Sequence, residues 1–225
     1  MLEVACFNVA SAIVAAENHA DRIELCEDQA AGGTTPSLDW LIQVKARVSI
    51  PVFVMIRPRG GDFVYTEAEF ARMQEELQAF KQSADGFVFG ILDSESKVDK
   101  SRTAELVRFV HPKPCTFHRA FDQTSDHYAA LEDVITTGCK AILSSGGQPT
   151  ALEGINVLGE LVKKAGDRIV IIPGGSVRAA NSARILQSTG AKVLHSSCCP
   201  SSTSSAITAE LPDVAEVRGM VQSLQ

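Results

Sequence analysis

Short apolar runs alternate with longer amphipathic segments along almost the whole chain, and this alternation limits the folds that the chain can adopt. The runs predicted as strands are Leu2–Phe7, Arg22–Cys26, Val52–Arg57, Phe87–Leu92, Cys115–Arg119, Ala141–Ser145, Ile169–Ile172 and Val193–Ser196. The segments predicted as helices between them are Ala10–His19, Ser37–Val48, Thr66–Gln82, Lys100–Val110, Asp126–Thr137, Thr150–Ala165 and Arg178–Ser188. Strands in strict alternation with helices form a parallel sheet, and eight such units close a (β/α)8 TIM barrel.

The rival architecture is a doubly wound open sheet, which is expected to carry a G-x-G-x-x-G turn after its first strand. The sequence at that point, Cys6-Phe7-Asn8-Val9-Ala10, does not match this pattern. We therefore predict one TIM-barrel domain over residues 1–225. Within it we expect a Ser/Thr-rich loop at about 196–210 and a closing helix over Pro212–Leu224.

Composition narrows the classes of function. With 45% hydrophobic residues and a net charge of −6, the chain is typical of a globular protein and not of a general nucleic-acid or membrane-surface binder. Neither a signal peptide nor an apolar run of about 18 residues is evident, which predicts a cytosolic protein. The six cysteines lack C-x-x-C spacing and are expected to be free thiols in a reducing compartment. The sequence leaves open whether the chain forms a homo-oligomer.

In TIM barrels the functional site forms at the carboxyl ends of the strands, and these ends are unusually polar here. Alternation along each strand predicts a convergence of ionisable and thiol groups at one mouth: Glu24, Cys26, Arg57, Arg59, His118, Asp122 and His195. A single buried histidine is usually a satisfied core residue. Seven such groups from four strands are hard to explain as scaffold.

Two arginines and two glycine-rich turns suggest an anion site. Arg57 and Arg59 end the third strand in R-P-R-G-G-D, and two like charges at a buried end need an anionic partner. Gly174 and Gly175 follow the seventh strand, where barrels commonly hold a phosphate. The residues predicted to bind a small anionic ligand are Arg57, Arg59, Ser145, Gly174, Gly175 and His195.

The thiols suggest a different chemistry. Cys6 and Cys26 lie near the ends of neighbouring predicted strands, and Met55 lies on the next strand. Thiolate and thioether sulfurs are the ligands that Cu(I) prefers. Alternation raises a difficulty: if Glu3 and Ala5 face inward, Cys6 faces the helices unless a bulge turns it.

Several long motifs together resemble the CutC family of copper homeostasis proteins. They are D-R-I-E-L-C (21–26), G-G-T-T-P-S (32–37), I-P-V through M-I-R-P-R-G-G-D-F (50–63), T-F-H-R-A-F-D (116–122), S-S-G-G (144–147), A-L-E-G (151–154) and P-G-G (173–175). The resemblance implies a (β/α)8 barrel, a cytosolic location, and a role in copper tolerance or trafficking with Cu(I) bound by cysteine. Cys26 lies in the family's own motif and Cys6 near a variable thiol position. The chain departs from the family after His195-Ser196-Ser197, where its next segment is short and Ser-rich.

Two functions therefore stay open at the level of sequence. The first is a copper protein in which Cys26 and Cys6 are the metal ligands, with Met55 or His118 as further partners. The second is an enzyme acting on a small anionic or phosphorylated substrate. In the second, Glu24, His118 or Asp122 would transfer protons, because histidine titrates near neutrality and buried carboxylates can be tuned to do so. A purely structural or partner-binding protein ranks third, since polar clusters at barrel mouths are costly without a ligand.

Overall fold

The chain forms a nearly closed eight-stranded parallel barrel surrounded by eight helices, in a computed structural model that describes residues 1–200 and 211–224. The strands are β1 Leu2–Cys6, β2 Arg22–Leu25, β3 Val52–Met55, β4 Gly86–Phe89, β5 Cys115–Phe117, β6 Ala141–Ser144, β7 Val170–Pro173 and β8 Leu194–Ser196. The helices are α1 Val9–Glu17, α2 Leu38–Lys45, α3 Glu67–Phe80, α4 Lys100–Val110, α5 His127–Thr137, α6 Ile155–Ala165, α7 Ala179–Thr189 and α8 Val214–Ser223. The predicted (β/α)8 barrel is confirmed.

Each strand pairs in parallel with the next strand along the chain, and β8 returns to pair with β1. The sheet order is therefore β7-β6-β5-β4-β3-β2-β1-β8, and in the described part of the chain no ladder joins β7 to β8. β1 therefore pairs with both the second and the last strand of the chain. In its register, Glu3 lies opposite Arg22 on one side and His195 on the other.

Local sequence signals set most helix starts. Thr66 and Glu69 form a reciprocal capping box at α3, and the side chain of Ser37 accepts a hydrogen bond from the backbone of Trp40 at α2. The predicted helix start at Thr150 is wrong by one turn, because α6 begins only at Ile155. A Cβ at Gly154 would lie 1.9 Å from the carbonyl oxygen of Ser145, so the backbone of this turn packs closely against the loop after β6.

The strands separate two apolar regions. Most of the core lies between the strands and the helices, where the second strand buries Ile23 and Leu25. A second cluster fills the barrel interior and consists of Ala5, Phe7, Cys26, Phe53, Met55 and Val88. Because side chains alternate along a strand, adjacent residues such as Val54 and Met55 belong to different regions.

The end of the chain agrees only in part with the sequence prediction. Ser196 belongs to β8, and Cys198 and Cys199 are buried, so the start of the Ser-rich run is not an exposed loop. Residues 201–210 of the predicted loop lie outside the described residues. Helix α8 follows and buries Val217 and Met220. Among the helices described, none is both long and apolar enough to cross a bilayer.

Candidate functional site

Two neighbouring cavities open at the carboxyl ends of the strands. The inner cavity has a volume of about 110 Å³ and is lined by Ala5, Phe7, Glu24, Cys26, Gly32, Met55, Arg57, Phe63, His118, Arg119, Leu143 and His195. The outer cavity has a volume of about 450 Å³ and is lined by Ala31, Gly32, Arg57, Gly61, Phe63, Arg119, Asp122, Gln123, Gly147 and Gln148. Gly32, Arg57, Phe63 and Arg119 border both. The arrangement is a narrow pocket inside the barrel with a wider vestibule above it.

A chain of buried polar groups begins at Arg22 and Glu3, which do not line the inner cavity, and ends at three residues that do. Arg22 Nε donates to Glu3 Oε2 at 2.6 Å, and the other oxygen of Glu3 lies 2.8 Å from His195 Nδ1. His195 Nε2 lies 3.8 Å from Glu24 Oε2, and the Cys26 thiol donates to that same oxygen at 3.4 Å. We call Glu3, His195 and Glu24 the carboxylate–histidine cluster. Parallel register produces it, because Glu3 has Arg22 and His195 as its direct neighbours on β2 and β8.

Burial and charge act in opposite directions within this cluster. Burial alone would raise the pKa of Glu3, but its hydrogen bond with His195 and the charges of His195 and Arg22 bring the pKa below its ordinary value. Burial raises the pKa of Glu24, and the opposing charge of His195 does not fully offset it. Burial would lower the pKa of His195, but Glu24 and Glu3 raise it overall. The cluster is therefore able to hold a proton near neutral pH.

Cys26 is a protonated thiol in this environment. Burial raises its pKa well above the ordinary value, and the negative charge of Glu24 raises it further. The thiol donates to Glu24 Oε2. A Cβ at Gly33, which has φ of +92°, would lie 3.4 Å from Cys26 Sγ and 3.7 Å from Met55 Cε. Both sulfur-containing side chains thus approach the same glycine, and both belong to the interior cluster.

Cys6 lies on the other side of the barrel wall. It packs in the core between strands and helices, and Ser11 of α1 is its hydrogen-bonding neighbour. Cys26 belongs to the interior cluster. The structure therefore does not bring the two predicted metal ligands together on one face, because alternation in β1 turns Ala5 inward and Cys6 outward.

His118 closes the opposite wall of the inner cavity. Its side chain is 4% exposed, and Nδ1 accepts a hydrogen bond from the backbone N–H of Ala120 at 3.2 Å. Burial and the charge of Arg57 lower the pKa of His118 to about 3. The ring is therefore neutral at physiological pH and carries its proton on Nε2. That Nε2 has no hydrogen-bond partner among the described residues.

The two arginines predicted to bind an anion have different surroundings. Arg57 borders both cavities, and its guanidinium donates to the carbonyl oxygens of Ala31, Gly33 and Gly61 at 2.8–3.0 Å. Arg59 lines neither cavity and pairs with Glu69 at 2.5 Å. The prediction that both face the same side is wrong, because β3 ends at Met55 and the following turn breaks the alternation.

Asp122 joins two loops and is fully engaged. Its carboxylate accepts hydrogen bonds from Arg119 Nε, the Ser144 hydroxyl, the backbone and hydroxyl of Ser145, and the backbone N–H of Gly147, at 2.6–3.2 Å. These bonds fasten the turn after β5 to the loop after β6. Of the three groups predicted to transfer protons, Asp122 is thus the one held by a full set of structural contacts.

Gly174 and Gly175 allow close packing after β7. A Cβ at Gly174 would lie 2.5 Å from Leu143 Cδ1, and the backbone N–H of Gly174 already donates to the carbonyl oxygen of Ser144. Gly175 has φ of +98° and lies against the guanidinium of Arg119. His195, also predicted to bind an anion, instead faces two carboxylates.

Glu3 was not among the predicted site residues, although it anchors the carboxylate–histidine cluster. It is completely buried, and as the second residue of β1 it lies nearer the amino end of the strand than the barrel mouth. The sequence signal was present: a charged residue at the inward position of an otherwise apolar strand, two residues before Ala5. Inspecting only the carboxyl ends of the strands misses such a residue.

Comparison with known proteins identifies relatives for this chain. The CutC family model matches residues 1–199. The copper homeostasis protein cutC homolog of Homo sapiens is 46% identical over 198 residues, covering 88% of this chain and 72% of the relative. A family protein CutC from Xanthomonas campestris pv. campestris (strain 8004) is 40% identical over 236 residues, covering 100% and 98% of the two chains.

Solved structures give the same picture. The crystal structure of CutC from Streptococcus agalactiae superposes with a TM-score of 0.82 at 35% sequence identity, covering 88% of this chain and 98% of the other. N-(5'-phosphoribosyl)anthranilate isomerase from Pyrococcus furiosus has a TM-score of 0.62 at 12% identity over 100% of this chain and 98% of the other, a likeness of fold alone. With a family model over nearly the whole chain and relatives at this level of identity, the chain belongs to the CutC family.

Proposed function

We propose that this protein acts in copper homeostasis and binds Cu(I) in the inner cavity through the thiolate of Cys26. The names of its relatives support the role in copper homeostasis. The observation that carries the ligand assignment is that two residues with soft sulfur donors, Cys26 and Met55, belong to the same interior cluster and both approach Gly33. Thiolate and thioether together form a donor set suited to Cu(I).

Metal binding at Cys26 requires the thiol to lose its proton. Glu24 Oε2 lies 3.4 Å from the sulfur, and burial raises the pKa of this carboxyl, so it is the natural acceptor. The thiolate would then neutralise the charge of Cu(I) in a pocket that also contains the cationic side chain of Arg57. Cys6, on the other face of the wall, would not reach the same ion. The thiols also support a cytosolic location, where cysteines stay reduced.

The test is a titration of reduced protein with Cu(I) in competition with a chromogenic chelator. Cys26→Ser should weaken binding at least about tenfold, because it removes the only thiolate of the proposed pair. Cys6→Ser is the matched control and should retain the affinity of the parent. Equal affinity in the parent and in Cys26→Ser would contradict the proposal.

A second candidate function is an enzyme acting on a small polar substrate, and the carboxylate–histidine cluster favours it. Three ionisable side chains with shifted pKa values are buried together inside the barrel, where structural roles for them are costly. The substrate's reacting end would enter the inner cavity. An anionic tail would meet Arg119, which lines the outer cavity, whereas Arg59 lines neither cavity and is paired with Glu69.

Binding tests this second function independently of any chemistry. Thermal shift and ligand-observed NMR would be measured with small sugars, sugar phosphates and inorganic phosphate. Phosphorylated compounds should bind more tightly than their neutral counterparts to the parent, and this preference should decrease in Arg119→Gln. Arg59→Gln is the control, and it should keep the preference. If none of these compounds binds to the parent, the second function is contradicted.

A further inference from the structure

We infer that the inner cavity catalyses proton transfer at the carbon next to a carbonyl group, with Glu24 as the base and His118 as the hydrogen-bond donor to the carbonyl oxygen. This inference rests on the second candidate function, that of an enzyme, and names its reaction and substrate class. The substrate would be a small hydroxy-carbonyl compound, such as a three-carbon aldose, ketose or keto acid.

Two buried polar atoms without partners carry the inference. Among the described residues, Glu24 Oε1 and His118 Nε2 are both buried and have no hydrogen-bond partner. Both side chains line the inner cavity. Arg57, which also lines this cavity, has a third such atom in Nε. Buried polar groups are nearly always hydrogen-bonded, so three unpartnered atoms around one small cavity indicate that a ligand completes them. The Glu24 oxygen accepts, whereas the N–H groups of His118 and Arg57 donate.

The surroundings of His118 determine which way its free nitrogen faces. Ala120 donates to Nδ1, and a Cβ at Gly90 would lie 2.5 Å from Nδ1 and 2.7 Å from Cε1. The ring therefore rests its Nδ1 edge on the backbone, and the edge that carries Nε2 lies away from Gly90. The ring of Phe63 packs against His118 at a centroid distance of 4.9 Å and fixes its tilt.

Glu24 is held so that one of its oxygens stays available. Oε2 accepts from the Cys26 thiol and lies near His195, whereas Oε1 has no partner in the described residues. Glu24 belongs to β2 and His118 follows β5, three strands further round the barrel. A substrate in the cavity would therefore meet a base from one wall and a donor from another.

This pair of groups has the chemistry of enolisation. Glu24 would remove a proton from the carbon beside the carbonyl, and the electrons of that C–H bond would form a carbon–carbon double bond. The charge would move to the carbonyl oxygen, where the Nε2–H of His118 would stabilise it. A neutral imidazole suits this role, because it donates to the oxygen without first giving up its proton. The carboxyl proton of Glu24 exchanges with water that enters through the outer cavity, and Glu24 then returns a proton to carbon, so the step needs no oxidant or further reactant.

The size of the cavities limits the substrate. The inner cavity of about 110 Å³ is smaller than the roughly 150 Å³ that holds benzene, so the reacting part has about three or four carbon atoms. The outer cavity, at about 450 Å³, has room for a longer polar tail. Phe7, Phe63 and Leu143 supply apolar walls around the reacting end.

The experiment is hydrogen–deuterium exchange at carbon, followed by proton NMR in D2O with metal-free protein. The probes are dihydroxyacetone, glyceraldehyde, pyruvate and hydroxypyruvate, with glycerol and lactate as controls that lack an aldehyde or ketone group. The parent should exchange the protons beside the aldehyde or ketone of at least one probe about tenfold or more above buffer, and should not exchange the C–H protons of either control. Saturation-transfer spectra of the same samples report binding separately from exchange.

Variants assign the two roles. Glu24→Gln should reduce exchange to the buffer rate while the probe still binds, and His118→Phe should reduce it about 100-fold or more by removing the donor. His118→Gln keeps an N–H donor and should recover part of the rate lost in His118→Phe. Glu17→Gln and His19→Asn change the same residue types on the exposed surface of the molecule and should exchange like the parent.

Each outcome has a definite meaning. Binding of a probe without exchange in the parent overturns this inference and leaves the second candidate function standing. Failure of every probe to bind overturns this inference, whereas the second candidate function is overturned only if the sugar phosphates also fail to bind. Exchange by Glu24→Gln at the rate of the parent overturns the assignment of Glu24 as the base. A folded His118→Phe that exchanges at the rate of the parent overturns the assignment of His118 as the hydrogen-bond donor. The copper proposal is unaffected by any of these results, because the samples contain no metal.

Discussion

Replacing His118 by glutamine should change how the stability of the protein depends on pH. In the folded state burial and Arg57 keep this ring neutral down to a pKa of about 3, whereas its ordinary value is 6.5. The unfolded chain therefore binds a proton at this position over a pH range in which the folded chain does not. Because the unfolded state takes up more protons, acidification lowers the stability of the parent. His118→Gln has no such group, so its stability should fall less.

The size of the effect follows from the two pKa values. Proton linkage between 6.5 in the unfolded state and about 3 in the folded state gives a loss of about 2 kcal/mol between about pH 7 and about pH 5. The contribution is fully present above pH 6.5 and is lost as the pH falls towards 3. For a domain of this size, about 2 kcal/mol corresponds to a decrease of roughly 4–8 °C in Tm.

Urea unfolding of parent and variant at several pH values between about 7 and about 5 measures this difference. Other titrating groups are common to both proteins and cancel when the two free energies of unfolding are subtracted. His19→Asn, which removes an exposed imidazole, is the control and should follow the parent. If the free energies of the parent and His118→Gln fall in parallel, His118 is not held neutral by its surroundings, and its role as a permanent donor is refuted.

Three further experiments test the charge of the site, the packing of a nearby turn and the burial of Cys26. Glu3→Gln leaves Arg22 without its buried carboxylate and should cost about 3–5 kcal/mol in urea unfolding. Adding Arg22→Met should recover part of this, and additive losses would contradict the pairing. Gly154→Ala should lower Tm, because its Cβ would lie 1.9 Å from a carbonyl oxygen. Gly159→Ala, whose Cβ would lie 3.4 Å from its nearest atom, should instead stabilise α6 by up to about 1 kcal/mol. Equal shifts in Tm for the two variants would contradict this. Cys26 should react with a thiol reagent only as fast as the protein opens, because burial raises its pKa; mass spectrometry showing prompt labelling would argue otherwise.

The barrel was predictable from sequence because its signals are local. Each strand is a short apolar run, and residues such as Thr66 and Ser37 mark helix starts through their own hydrogen bonds. Strand alternation also placed Cys26 and Met55 correctly in the barrel interior. These features depend on residues within a few positions of one another, which is why a single sequence contains them.

The site was only partly predictable because its partners come from irregular backbone or from distant strands. Arg57 was expected to need an anion, but its guanidinium donates hydrogen bonds to backbone carbonyl oxygens of two loops. Every residue has a backbone carbonyl, so the sequence does not indicate which of them will accept such a bond. Arg59 was placed on the wrong side because alternation ends with the strand. Glu3 was missed because its importance arises from His195, which is 192 residues away along the chain.

That separation of 192 residues also has a consequence for how the protein is made. At a synthesis rate of about 5–20 residues per second, β8 leaves the ribosome roughly 10–40 s after β1. During that interval Glu3 can meet Arg22, its neighbour on β2, but not His195, and β1 presents an open edge where β8 will pair. Until β8 emerges, the nascent chain therefore has Glu3 with only one of its two partners and β1 with an unpaired edge. Translation speed and chaperone access during this interval should therefore affect the yield of folded protein. Their effect should be larger than that of the rate at which any single helix forms.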